Sequence, residues 1–454
     1  MNTEDIYQLY LQHPIISTDT RKIVPGSLFF ALKGDKFDAN TFAEQAISQG
    51  AAYAIIDNPE YQLNEKYILV DDGLTTLQDL ARYHRKQLTI PVIGLTGTNG
   101  KTTTKELINA VLSQKFKTLA TQGNLNNHIG VPLTILSINS THEMAVIEMG
   151  ANHQKEIELL CSISQPTHGL ITNIGKAHLE GFGGVEGIKK GKGELYDFLS
   201  REVRKSESPE AEDLAQGIAF VNGDDKVLME MQRARDLKKV VMYGTNNRDN
   251  TIIGKLTENS PLLSLQWTNN SSGESHEIKT QLTGAYNLDN ILAAICIGNY
   301  FGLDADTINK GVEGYEPQNN RSQIKQTATN TLICDYYNAN PSSMFVAIEN
   351  IGKLTADRKV LILGDMFELG DESAAEHEAI IRKALATDVD ERIFIGKDFL
   401  AQKWKFKGDK LKNATFHATV ENAITALKFH PVKNSTVLIK GSRGMALERL
   451  VELF

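Results

Sequence analysis

The sequence predicts an α/β protein of three domains, and three observations carry that expectation. At 454 residues the chain exceeds the roughly 250–300 at which a single core stops growing. At residues 90–103 a proline-introduced apolar run passes straight into a glycine loop and then a helical pattern, which marks the start of a new unit. Toward the end, TLICDYY (331–337), KVLILGDM (359–366), RIFIGK (392–397) and STVLIKGS (435–442) alternate with helical stretches, as in an open Rossmann-like sheet. The expected domains are 1–88, 89–317 and 318–454.

In the first unit, SLFFAL (27–32), AAYAII (51–56) and KYILV (66–70) read as short strands and TFAEQAISQGA (41–51) as a helix. In the second, the strand 90–96 is followed by the helical TTTKELINAVLSQ, then by strands MAVIEM (144–149) and HGLITNI (168–174), so the economical arrangement is a parallel, doubly wound sheet. The charged stretch REVRKSESPEAEDLAQG (201–217) suits an exposed loop or polar helix. YNLDNILAAICIGNYFGL is a helix ending near Gly302, and GVEGYEPQNNRSQ links into the third unit, which lacks a GxGxxG loop. The domain junctions near 88–90 and 315–320 are candidate hinges.

Composition excludes several classes of function. With 41% hydrophobic and 23% charged residues the chain is an ordinary globular sequence, and a net charge of −8 argues against a nucleic-acid surface. Cys161, Cys296 and Cys334 lie in apolar stretches without metal-ligand spacing. The opening MNTEDIYQLYLQHP has no export-signal pattern and no run offers a membrane span, so a cytoplasmic protein is expected, without membrane insertion and as a monomer.

The chemistry concentrates in TGTNGKTT (96–103). Gly97, Thr98, Asn99, Gly100, Lys101, Thr102 and Thr103 form a phosphate-binding loop: glycines let backbone amides face phosphate oxygens, Lys101 adds positive charge, and the Thr102 hydroxyl suits Mg²⁺. Leu95 stands where the strict motif has its first glycine. Glu148 ends the strand MAVIE, where a carboxylate can face the loop as a Mg²⁺ partner. His178 lies in the glycine-punctuated NIGKAHLEGFGG (173–184), in reach of a metal or phosphate. Lys189, Lys190 and Lys192 cannot be told apart by composition.

TGTNGKTT, EMG, NIGKAHLEGFGG, GKGEL, LTGAYNLDN, DYYNANP and GDMFELG together resemble the Mur ligase superfamily of cell-wall peptide synthesis, over essentially the whole chain. DYYNANP followed by GDMFELG is similar to the branch that adds D-alanyl-D-alanine to a UDP-N-acetylmuramoyl-tripeptide. The resemblance implies that the N-terminal domain docks the uridine nucleotide through the stretch containing Ser17, Thr18, Asp19 and Arg21, although Ala39-Asn40 replaces the usual Gly-His pair after Asp38. It implies that Lys192 carries a CO₂-derived carbamate, which a neutral amine beside Lys189 and Lys190 would favour. It also implies that Asn287 and Asn290 contact adenine, with Tyr286 in place of the commoner His, and that Arg321 faces phosphate, with Asn320 in place of Gly. Asp335, Tyr337, Asn338 and Asn340 would serve ribose and the incoming dipeptide.

The implied reaction activates the tripeptide carboxylate with ATP as an acyl phosphate, which the dipeptide amine then displaces, with Lys101, His178, Lys192 and Arg321 as catalytic groups. One Mg²⁺ is expected at Thr102 and Glu148, a second at Glu148, His178 and carbamylated Lys192. Three rivals remain. A switch or transport ATPase would need a switch segment or partner tail, and neither is evident. The diamino-acid adder carries Asn-Pro-Arg where this chain has Asn340-Pro341-Ser342, and folylpolyglutamate synthases carry GTNGKGS where it has GTNGKTT.

Overall fold

The computed structural model describes residues 1–202, 217–318 and 320–454. In the first unit, alternation at period two sends neighbouring side chains to opposite faces of a four-stranded parallel sheet ordered Ile16–Ser17, Leu28–Phe30, Tyr53–Ile56, Tyr67–Leu69. Phe29, Ala54 and Ile56 pack on Ala43 and Ala46 of the helix Ala43–Ser48. Leu28, Phe30 and Ile55 pack on the other side, against helices Thr3–Gln12 and Gly73–Gln87.

Those two helices bury their far sides against the second domain, so the core runs on without a break to Val131, Ile135 and Leu160. Four polar side chains span the same contact. Tyr10 Oη donates to Leu136 O (2.6 Å), Gln78 Nε2 to His128 O (3.0 Å), His84 Nε2 to Ile138 O (2.8 Å) and Arg85 Nε to Ser164 O (2.9 Å). Opening a hinge at 88–90 would expose this apolar surface and unpair those carbonyls. Of the two expected hinges, this one is stiff.

The central sheet has nine strands, ordered Ser275–Lys279, Leu263–Asn269, Ile252–Asn259, Lys239–Gly244, Ile218–Asn222, His168–Ile171, Val92–Thr96, Met144–Glu148, Thr118–Ala120. The expected parallel arrangement holds from Thr118–Ala120 through Ile252–Asn259; the last two strands are an antiparallel meander. Being antiparallel, they can leave one face to water: Leu263, Leu265, Trp267 and Ile278 are buried while the residues between them point outward. Trp267 Nε1 donates to Asn309 Oδ1 (2.9 Å), joining the meander to the helix Ala305–Glu313.

The third domain has six strands, ordered Gln323–Gln326, Asn330–Asp335, Ser435–Lys440, Lys359–Gly364, Glu391–Ile395, Ala414–His417, with only the first antiparallel. The charged stretch expected as a loop or polar helix begins inside the helix Val185–Glu202; its residues 203–216 lie outside the described residues. The three cysteines are buried and free. Among the described residues no helix is long and apolar enough to cross a membrane.

Candidate nucleotide and ligase site

The strand Val92–Thr96 delivers Gly97–Thr103 to the start of the helix Lys101–Leu112, whose first-turn amides have no intrahelical acceptor. Gly100 sits at φ +79°, and a Cβ there would lie 2.6 Å from Asn290 Oδ1, so the loop tolerates no side chain at this point. The loop is laced to residues 172–175. Thr98 N donates to Asn173 O (2.9 Å), Asn99 N to Asn173 Oδ1 (3.1 Å) and Thr172 Oγ1 to Asn99 O (2.6 Å). NIGKAHLEGFGG therefore acts first as the brace of the phosphate loop.

Lys101 Nζ folds back onto the carbonyls of Gly97 (2.8 Å) and Thr98 (3.0 Å). Burial lowers its pKa to about 8, Glu148 raising it and Arg321 adding repulsion. Thr102 Oγ1 donates to Glu148 Oε1 (3.2 Å), and Asn126 Nδ2 to the same oxygen (2.8 Å). Glu148 Oε2 is buried without a partner, an acceptor of the kind a bound cation satisfies.

Lys192 is the one member of its lysine trio that is buried, with Nζ donating to Ala151 O (3.0 Å). Burial, then Lys101, holds its pKa well below the ordinary value. The expected cause does not hold: Lys189 is paired with Glu186 (2.7 Å) and Lys190 is exposed, and the positive charge that bears on Lys192 is that of Lys101. His178, at φ +51°, meets the Glu368 carboxylate through Nδ1, and burial keeps its pKa low. Among the described residues no three His, Cys, Asp or Glu side chains gather as a ready metal cage.

A cavity of about 800 Å³ opens above the phosphate loop, between the second and third domains at the carboxyl ends of their strands. The third domain closes onto it through Asn340 Nδ2, donating to Asn99 Oδ1 (2.8 Å), and Asn99 Nδ2, donating to Ser342 Oγ (2.9 Å). Lys176 pairs with Glu376 (2.6 Å) over the same boundary. Asn340 also caps the helix Pro341–Lys353, its Oδ1 accepting from Ser343 N (2.9 Å). Arg321 stacks on the Tyr337 ring at 3.9 Å with its Nε buried and unpartnered, and Asn338 lines the cavity beside it. Asn320 sits at φ +57°, a left-handed backbone where Asn is the tolerated substitute for Gly.

Asn287 and Asn290 line the cavity, but much of their hydrogen-bonding capacity is engaged within the fold. Asn287 Nδ2 donates to Thr283 O (2.8 Å), Asn290 Nδ2 to Asn287 Oδ1 (2.9 Å) and Thr104 Oγ1 to Asn290 Oδ1 (3.0 Å). Tyr286 Oη bonds Ser322 Oγ (2.6 Å). Asp335 Oδ2 accepts from Lys440 Nζ (2.6 Å), a buried lysine that the sequence reading did not single out. The same holds for Asn126, Glu368 and Asp289, whose carboxyl lines the cavity and is raised to about 6 by burial and by Asp224 and Asp225.

The N-terminal candidates do not share this cavity. Asp19 caps a turn and pairs with the exposed Arg21 (2.8 Å), and Ser17 Oγ donates to Asp19 O (3.2 Å). Thr18 lies in the bend between Ser17 and Asp19. Asn40, at the position where the family's pair departs, is buried and donates to Asp38 Oδ1 and Asp57 Oδ1, both at 2.7 Å.

A braced glycine loop at a helix N-terminus, a carboxylate on the neighbouring strand and a second α/β domain folded over both define a nucleotide-phosphate-using enzyme with a separate acceptor domain. Family models for the Mur ligase family catalytic domain, the Mur ligase middle domain and the Mur ligase glutamate ligase domain match residues 14–85, 95–298 and 320–443. The chain belongs to the Mur ligase family.

Among its relatives is the UDP-N-acetylmuramoyl-tripeptide--D-alanyl-D-alanine ligase of Escherichia coli (strain K12), 36% identical and covering 96% of this chain and 92% of that protein. The ligase of the same name from Bacillus subtilis (strain 168) is 34% identical with the same coverage. A crystal structure of MurF from Acinetobacter baumannii superposes with a TM-score of 0.85 at 30% identity, over 99% of this chain and 98% of that one. MurF ligase from Thermotoga maritima in complex with ADP gives 0.82 at 25% identity, over 98% and 97%.

Proposed function

We infer that this chain is the ATP-dependent ligase that joins D-alanyl-D-alanine to the terminal carboxylate of UDP-N-acetylmuramoyl-tripeptide in peptidoglycan precursor synthesis, releasing ADP and phosphate. The observation that carries this is end-to-end similarity, 36% over 443 residues, to a ligase so named. The site fits it: one cavity joins the phosphate loop to the DYYNANP loop, so a nucleotide and an acceptor can meet in it.

The finer assignments are part of the proposal. Gly97–Thr103 hold the ATP phosphates, Asn287 and Asn290 set the floor on which adenine rests, and Asp335 with Lys440 lies where ribose would be placed. An anionic carboxylate attacking a polyanion is opposed electrostatically, so positive groups must converge with little water between them. Lys101 and Arg321 supply them, and the repulsion that Arg321 exerts on Lys101 would be offset by a bound phosphate. Lys101 must leave the carbonyls of Gly97 and Thr98 to reach it. The carboxylate oxygen forms the new P–O bond to the γ-phosphate as ADP leaves; the dipeptide amine then forms the amide and phosphate departs with that oxygen.

The donor set fits Mg²⁺ carried in on nucleotide phosphates, which needs only a carboxylate or two from the protein: Thr102 and Glu148, whose Oε2 is unsatisfied, would hold one ion, and Glu148, His178 and a modified Lys192 a second. A carbamate on Lys192 would add the anionic oxygen this set lacks, and burial, which lowers the pKa of that amine, favours the modification. Bound there, Mg²⁺ would neutralise charge developing on the phosphates. Ser17, Thr18, Asp19 and Arg21 dock the uridine nucleotide on the first domain. A monomer in the cytoplasm, with domain boundaries at 1–88, 89–317 and 318–454, completes the proposal.

The test is phosphate release by purified enzyme with ATP, Mg²⁺, UDP-N-acetylmuramoyl-tripeptide and D-alanyl-D-alanine. Release with a diamino acid and the dipeptide-level precursor instead would move the chain to the neighbouring branch. Running precursors with diaminopimelate and with lysine at the third residue identifies the acceptor.

A further inference from the structure

A smaller cavity of about 230 Å³ adjoins the main one and shares with it His178, Tyr337, Asn338 and Asn340. Its other walls come from two loops without a role so far: Phe367-Glu368 beyond the strand Lys359–Gly364, and Ser442-Arg443-Gly444 beyond Ser435–Lys440. Phe367 N donates to the buried Ser442 Oγ (3.0 Å), and a Cβ on Gly444 would come within 2.8 Å of the Phe367 ring. The two loops are thus fitted to each other. Ala177 and Ala339, both buried, give the pocket methyl-sized walls.

One strong group at this pocket lacks a counter-charge. Arg443 stands 5.0 Å from the Tyr337 ring, which Arg321 also stacks against. Arg358, Arg382 and Arg449 of the same domain pair with Glu391, Glu378 and Glu421. Among the described residues no carboxylate pairs with Arg443; Asp335 is held by Lys440, and Glu368, which also lines the pocket, turns its carboxylate to His178.

We propose that Arg443 is the receptor for the free carboxylate of the incoming dipeptide, with the dipeptide's methyl groups against Ala177 and Ala339 and its amine pointing past His178 into the main cavity. This rests on the ligase reading. The carboxylate is the dipeptide's only anionic group and the end that does not react, so holding it fixes the amine; a guanidinium fork matches it in two hydrogen bonds. An extended dipeptide spans about 7 Å, which lets its two ends lie in the two adjoining cavities.

The experiment uses full-length enzyme with saturating ATP, Mg²⁺ and UDP-precursor, varying either D-alanyl-D-alanine or its C-terminal amide. Arg443→Ala should raise KM for the acid roughly 10- to 100-fold. Wild type should lose a comparable factor on the amide, and Arg443→Ala should treat acid and amide alike. Arg443→Lys, keeping charge without the fork, should recover part of the preference. KM for ATP and for the UDP-precursor and the thermal midpoint should stay put in both variants. Undiminished preference for the acid in Arg443→Ala overturns the proposal, as does a parallel rise in all three KM values. Should wild type release no phosphate with the acid, the ligase reading fails, and the receptor with it.

Discussion

Gly100→Ala is a perturbation whose size can be worked from the structure. An L side chain at φ +79° costs roughly 1–2 kcal/mol. The new methyl would also meet Asn290 Oδ1 at 2.6 Å, and that oxygen accepts the Thr104 hydroxyl at 3.0 Å. Moving Asn290 away forfeits a buried hydrogen bond, about 1 kcal/mol, or more if the Thr104 hydroxyl is stranded. The sum is about 2–3 kcal/mol, which falls on the loop's phosphate-binding conformation and so weakens nucleotide affinity roughly 30- to 150-fold. Calorimetric titration with ADP reads the loss, and thermal unfolding reads any part that falls on the fold. Binding by Gly100→Ala within twofold of wild type, with an unchanged melting temperature, would refute the reasoning.

Three further outcomes follow from the same geometry. Lys101→Ala should cut turnover at least about 100-fold while circular dichroism stays native, because its ammonium contacts only two loop carbonyls. Removing dissolved CO₂ should depress wild-type activity and bicarbonate should restore it, whereas Lys192→Arg should be inactive under both conditions; indifference of wild type to bicarbonate counts against the carbamate. His168, buried against Phe220 and Phe301, has its pKa lowered from 6.5 to about 4. The unfolded chain therefore takes up this proton first, and stability present above pH 6.5 is lost as pH falls toward 4, by up to about 3 kcal/mol. His168→Phe should flatten the urea-midpoint profile over that window, and an unaltered slope would contradict the assignment.

The phosphate loop was legible because its chemistry is contiguous: strand, glycines, lysine and helix follow one another within a dozen residues. Lys192 was ambiguous among its neighbours because burial, not residue type, separates it from Lys189 and Lys190. The antiparallel meander had a readable signal, alternation in LSLQWTN before a turn at Asn269–Gly273, that the parallel reading passed over. Lys440, Asn126 and Glu368 had no local signal, since their roles arise from contacts over distances of 22 to 105 residues or over a domain boundary. Asn287 and Asn290 were legible as a pair, yet nothing local could say that they hold Gly100 and Thr104 in place. The stiffness of the first junction likewise depends on carbonyls that only the fold brings to Tyr10, His84 and Arg85.

The central claim, that the loop presents a γ-phosphate for attack by the peptide carboxylate, is tested most directly by isotope transfer. UDP-N-acetylmuramoyl-tripeptide labelled with ¹⁸O in its terminal carboxylate is turned over with ATP and D-alanyl-D-alanine, and the released phosphate is weighed by mass spectrometry. The account predicts one labelled oxygen in each phosphate and the other retained in the new amide. Unlabelled phosphate, the mark of water attacking ATP directly, would contradict it.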